Sequence, residues 1–359
     1  NPRRTVYQIG FKAQSSTICC RYGGGTEIIM SQHTASKNDF SIGSISGNIL
    51  RLALPMTAAQ LINVLYNVVD RIYIGNIQGI GDLALAGVGV CGPIVTLLSS
   101  FASLVGLGGS PIMAMRMGEG RDREAGRVLS NSFLMLLILS GVLTTLFLLL
   151  KEHLLMWFGA SDATFGYANT YLTIYTAGTF FALMATGMNS FLIAQGFSGL
   201  GMATVMLGAV LNIILDPIFI FGLHLDVAGA ALATVLSQMA SCAFVLLSLR
   251  RKRMPVRLRW GRMELHIVRR VLAFGLSPFL IIATDSILLI VLNTVLQRYG
   301  GPELGDTLVT CATIVQSYLL LITMPMGGLT LGSQWSSSTT ARPTWSASRG
   351  PSSPSWPCA

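Results

Sequence analysis

Val128 to Leu150 read VLSNSFLMLLILSGVLTTLFLLL, without an ionisable side chain from end to end. As an α-helix rising about 1.5 Å per residue, this stretch is roughly 34 Å long, enough to cross about 30 Å of hydrocarbon. Its apolar residues fall on every face, the pattern of a helix covered by protein or lipid and not of an amphipathic surface helix. Seven more stretches are of the same kind, near 49–74, 83–113, 168–194, 202–222, 227–249, 268–297 and 306–332. Together they predict an all-α, polytopic membrane protein with eight spans.

Composition agrees. Of the 359 residues, 52% are hydrophobic and 11% charged, and the mean hydropathy is +0.63. A soluble domain carries about a quarter charged residues. The net charge of +9 would suit nucleic acid, but the basic residues sit between apolar blocks, so nucleic acid is not an expected partner. The six cysteines, at positions 19, 20, 91, 242, 311 and 358, lack metal-ligand spacing, and the four histidines are scattered. Neither a zinc site nor a Cys/His catalytic pair is supported, and no cofactor is expected. Residues 1–29 lack the apolar stretch of a cleavable signal peptide.

Arginines set the orientation. Arg116, Arg121, Arg123 and Arg127 lie between the second and third spans, and Arg250, Arg251, Lys252, Arg253, Arg257, Arg259 and Arg262 between the sixth and seventh. Both links are expected in the cytoplasm, with the N-terminus. The links near 76–82, 151–162, 222–226 and 298–306 are poor in Lys and Arg and fit the other side.

An internal repeat is also legible. Pro55 in LRLALPMTAAQ matches Pro278 in RVLAFGLSPFLI, 223 residues on; Gly81-Asp82 matches Gly305-Asp306, and Gly109-Ser110 matches Gly332-Ser333, within one residue of that offset. Six spans fill one period, so the copies are parallel repeats. The expected organisation is an N-terminal tail (1–47), a six-helix lobe (48–250), a basic cytoplasmic linker (251–267), the first two helices of a second, repeat-related lobe (268–334) and a tail (335–359). From Trp335 the composition turns to Ser, Pro and Trp without helical periodicity, which suggests a reading-frame shift near Gln334. The Gly23-Gly24-Gly25 run suggests a translated ribosome-binding site, with Met30 the natural start. Native disordered tails are the alternative.

Ionisable residues within spans cost roughly 2.5 to 3.5 kcal/mol each on insertion scales and need a reason. Asp70 lies about one turn from the outer end of the first span and Asp216 under two turns from that of the fifth. At one depth, two carboxylates can share a proton or hold a small cation. Asn212 precedes Asp216 by four residues on the same helix face, and Thr234 of the sixth span reaches a similar depth. The bland alternatives are an Asp70–Arg71 pair and an Asp216 that caps backbone freed by Pro217. Asp285, deeper in the seventh span, is a candidate for a central substrate cavity.

These residues carry a resemblance. The stretches LALPMTAAQLINVLYNVVDRIYIG, MRMGEGRDREAGRVL, MNSFLIAQGF and LNIILDPIFIFG are similar to the multidrug and toxic compound extrusion (MATE) family, from about Ile49 to Gln334. The resemblance implies two six-helix lobes around a cavity that opens alternately to either side, with export driven by inward sodium or proton flow. It implies an ion or proton site of Asp70, Asn212 and Asp216, with Asn189 and Tyr175 of span four and Thr234 of span six contributing. Family members have twelve spans, four more than are read here, so an inactive fragment is an alternative. The implied function is antiport of cationic drugs and toxic organic compounds across a bacterial inner membrane, by a monomer whose partners are the bilayer and small organic cations. A flippase for lipid-linked oligosaccharides is the rival within transport, but it needs a cationic cavity and Lys and Arg are rare inside the spans. An intramembrane enzyme would need a paired nucleophile and base or a metal cluster at one depth, and neither is present in the sequence.

Overall fold

The computed structural model describes residues 45–252 and 254–340, and every regular element within them is helical. The order is α1 (Ile45–Gly75), α2 (Gly81–Gly118), α3 (Asp122–Trp157), α4 (Asp162–Ala177), α5 (Thr179–Ala194), α6 (Ser198–Pro217), a π-helical turn (Ile218–Gly222), α7 (Asp226–Arg250) and α8 (Leu265–Thr340). α8 breaks at Gly301, whose φ of 63° and ψ of −168° suit a residue without a Cβ. The break leaves a first arm, Leu265–Gly301, and a second arm, 302–340.

Among the described residues, six of the eight expected spans are long and apolar enough to cross a membrane: α2, α3, the α4–α5 pair, α6 with its π-helical turn, α7 and the first arm of α8. α1 and the second arm are helical over the other two expected spans. The fourth span departs from expectation: α4 and α5 are separate helices bent by 57° around Gly178. α4 starts on a reciprocal cap, with Thr164 N–H donating to Ser161 Oγ and Ser161 N–H to Thr164 Oγ1. The other departure concerns the C-terminal tail. Helix continues through Trp335 to Thr340, because Ser and Thr weaken an α-helix without ending it and the first proline beyond is Pro343. The expected tail before residue 45, with its Met30 start, and the tail beyond residue 340 lie outside the described residues.

α2 is the most enclosed helix, and small residues make it so. An ideal Cβ on Gly106 would lie 2.9 Å from the Gly187 carbonyl of α5, one on Gly87 3.1 Å from the Thr164 carbonyl of α4, and Cβ atoms on Gly108 or Gly275 would overlap the facing backbone of the first arm or of α2. Lipid tails are as apolar as leucine, so helices in a bilayer associate through such backbone approach and through polar contacts. The Cys91 thiol adds one, donating to the Ala168 carbonyl at 3.3 Å. Large aliphatic side chains turn outward instead: Ile138, Val142, Leu146 and Leu149 of α3 are all exposed, the surface a bilayer would cover.

The linker is tied down. Met254, Val256 and Leu258 are buried and alternate with exposed residues, the pattern of extended chain lying on a surface. Val256 N–H donates to Gln195 Oε1 at 3.1 Å, Ser130 Oγ to the Arg259 carbonyl at 2.6 Å, and Glu264 N–H to Asn131 Oδ1 at 2.6 Å. These bonds explain why Ser130 and Asn131 interrupt the apolar run of α3.

Because α2 and the first arm meet backbone to backbone, Gly275→Ala is expected to destabilise the chain by about 1–3 kcal/mol. Gly141→Ala, at a site with no neighbouring heavy atom within 4 Å, should be neutral or slightly stabilising. Thermal unfolding in detergent, followed by circular dichroism, compares the two, and equal melting temperatures would contradict the tight crossing.

Candidate functional site

α1, α6 and α7 bring four of the predicted residues together. Asp216 is 0% exposed, Asn212 1%, Asp70 8% and Thr234 9%. The Asp70 and Asp216 carboxyls are neighbours and act on one another. Asn212 Nδ2 donates to Asp216 Oδ1 at 3.1 Å and to Thr234 Oγ1 at 3.4 Å, while the Thr234 hydroxyl donates to the Ala230 carbonyl at 3.0 Å. Asn212 can reach Asp216 because the two are four residues apart on one helix face.

Three oxygens in this cluster have no partner: Asp70 Oδ1, Asp216 Oδ2 and Asn212 Oδ1. A buried acceptor without a donor is costly. The unpartnered atoms are all oxygens, the donor set of a site for a proton or a hard cation.

Neither bland alternative describes the geometry. Arg71 forms no salt bridge with Asp70, although its charge acts on it; instead Nη1 donates to the Thr313 carbonyl at 2.6 Å and contacts Ser317 Oγ, both on the second arm of α8. The Asp216 carboxylate is engaged by Asn212 and not by freed backbone. The amide missing at Pro217 is absorbed by the π-helical turn that follows. Beyond it, His224 and Asp226 take φ values of 52° and 48°, a left-handed backbone uncommon outside glycine, so the chain is wound tightly just past Asp216.

Tyr175 joins the site from α4. It is 3% exposed, accepts from Gln238 Nε2 at 3.4 Å and stacks on Tyr171, with ring centroids 6.2 Å apart and an interplanar angle of 10°. Tyr171 lies beside Asp70, and Tyr66 lies beside Asp70, Asp216 and Tyr175. Tyr66 and Tyr171 escaped the sequence reading. The signal was available, since each stands four residues before a chosen residue, Asp70 or Tyr175, on the same helix face.

Asn189 and Asp285 are not brought to this cluster. Asn189 Nδ2 donates to the Gly201 carbonyl at 3.4 Å, fifteen residues before Asp216 and therefore about 22 Å away along α6. The reason is the tight turn between α5 and α6. Residues equally distant from that turn share a depth, which pairs Asp216 with the neighbourhood of Tyr175 and leaves Asn189 near the opposite end. Asp285 is exposed on the first arm, without a hydrogen bond or ion pair among the described residues.

The family model described as MatE matches residues 55–218, which includes Asp70, Asn212 and Asp216. The multidrug export protein MepA of Staphylococcus haemolyticus is 27% identical over 264 residues, 73% of this chain and 58% of that protein. The chain thus spans under two thirds of the length of that curated relative. Among solved structures, that of the MATE multidrug transporter DinF-BH, determined as a complex, aligns with a TM-score of 0.79 and 31% identity, over 84% of this chain and 67% of that one. The outward-facing conformation of a multidrug resistance MATE family transporter of the MOP superfamily aligns with a TM-score of 0.74 and 28% identity, over 84% and 66%.

Arg71 is expected to hold the second arm against α1. Arg71→Ala should destabilise the chain by roughly 1.5–3 kcal/mol, the range for a hydrogen bond from a charged group. Adding Ser317→Ala to it should cost less than Ser317→Ala costs alone. A double-mutant cycle of melting temperatures measures the coupling, and strict additivity would mean that the Arg71–Ser317 contact carries nothing.

Proposed function

Since the chain belongs to the multidrug and toxic compound extrusion family and is a multi-pass membrane protein, we propose that it serves ion-coupled export of organic cations, with Asp70, Asn212, Asp216 and Thr234 as the coupling site. The three buried, unpartnered oxygens of that cluster carry the reading. Two carboxylates enclosed in one bundle are tolerable only with a compensating positive charge, either a shared proton or a sodium ion ligated by carboxylate, amide and hydroxyl oxygens. Arrival and departure of that charge changes how α1 and α6 are held together, which biases the lobe between two arrangements.

An organic cation is attracted by the same carboxylates and by the ring faces of Tyr66, Tyr171 and Tyr175. Ion and drug then compete for one negative cluster, and by linkage each lowers the affinity of the other. That competition is what an exchanger needs. We assign the chain to the bacterial plasma membrane with a cytoplasmic N-terminus, on the arginine-rich links 115–127 and 250–262. The activity is not enzymatic on this reading: the cluster lacks a nucleophile paired with a base.

The full chain, expressed in a pump-deficient bacterium, should lower ethidium accumulation in response to an imposed sodium or proton gradient, and the gradient that works names the ion. Asp216→Asn and Asp70→Asn should each cut gradient-driven efflux at least about tenfold with normal membrane insertion. Asn189→Ala should leave the ion dependence in place. Unchanged efflux in both aspartate variants would remove the site.

A further inference from the structure

A second charged cavity lies at the cytoplasmic ends of α2, α3 and α8. It measures about 340 Å³ and is lined by Arg116, Arg127, Arg270, His266 and two glutamates over a floor of Ile112, Val128 and Ile267. The three floor residues are buried. Arg116 is committed to Glu119 at 2.9 Å and Glu124 at 3.3 Å. Arg127 is held only loosely, 3.7 Å from Glu264, which lies equally far from His266 Nδ1. Arg270 has no carboxylate partner among the described residues. The cavity therefore presents one guanidinium without a carboxylate partner, Arg270, beside a second, Arg127, paired only at 3.7 Å with Glu264, and guanidinium pairs with a phosphate through parallel hydrogen bonds.

The surroundings distinguish a lipid phosphate from a soluble one. Trp260, Met263 and Leu265, at the mouth of the linker, are 72%, 47% and 72% exposed, and exposed Trp among arginines marks the headgroup level of a bilayer. Leu265, Leu272, Leu276 and Leu280 form an exposed apolar stripe on another face of the first arm, the surface a bilayer would cover. Basic pockets between membrane helices on the cytoplasmic side are the recognised setting for anionic headgroups.

We propose that this cavity binds the phosphate of an anionic phospholipid of the inner leaflet, bridging α2 and α3 to the start of α8. Arg127 and Arg270 grip the phosphate oxygens, and Ile112, Val128 and Ile267 receive the glycerol carbons. The assignment is independent of what the carboxylate cluster binds.

The full chain, delipidated in mild detergent, is titrated with phosphatidylglycerol, phosphatidylcholine or inorganic phosphate, and bound ligand is counted by native mass spectrometry. Phosphatidylglycerol should bind best. Arg127→Gln with Arg270→Gln should weaken it roughly tenfold or more. Arg257→Gln with Arg259→Gln, the same change in charge on the linker outside the cavity, should alter it by less than about twofold. Arg270→Gln alone, which breaks no ion pair, reports on the site should the double variant fold poorly, and should weaken the lipid several-fold. Equal losses in the two double variants would reduce the effect to bulk charge and overturn the site. Phosphatidylcholine or inorganic phosphate binding as tightly as phosphatidylglycerol would overturn the anionic-lipid assignment.

Discussion

A polar group in hydrocarbon has no water to turn to, and this one constraint organises the molecule. Ser130 and Asn131 interrupt the most apolar helix, and both bind the linker. Arg71, a cation within a helix of the bundle, is satisfied by a carbonyl and a hydroxyl of α8. Asp70, Asn212 and Asp216 obey the same constraint only in part, keeping three oxygens without a donor. Buried polar groups in folded proteins are as a rule answered, and two carboxylates left unanswered at one depth call for positive charge between them.

Much of this was legible before any coordinates. Eight apolar runs predicted the helices because the bilayer imposes both length and apolarity, the least ambiguous of sequence signals. Asp70, Asn212, Asp216 and Thr234 were legible as a group because distance from a span's end translates directly into depth. The same arithmetic works only when counted from the right turn. Asn189 and Tyr175 lie on one expected span, yet the bend at Gly178 and the α5–α6 turn put Tyr175 beside Tyr66 and Tyr171, which neighbour Asp70, and Asn189 about 22 Å down α6.

Other features were not written locally. Arg71 sits beside Asp70 in the chain, and proximity in sequence suggests a pair; its true partners are more than 240 positions away. The aromatic side of the site depends on how α1 and α4 rotate about their axes, and that rotation is set by glycine contacts along α2 that no single-helix pattern displays. The compositional change at Trp335 reads as an end to helix, but serine and threonine do not stop one.

The anchored linker has a mechanical corollary. A slack connection would let α8 drift in any direction, whereas here the chain from Met254 to Glu264 is fastened to the ends of α3, α5 and α7. The start of α8 is thereby fixed at the junction of Glu264 and Leu265. The far end of the first arm is fastened as well: Thr294 Oγ1 donates to the Trp157 carbonyl at 3.0 Å, and just past Gly301 Asp306 accepts from Ser161 Oγ at 3.0 Å, so α8 is pinned to the helix bundle at both ends of that arm.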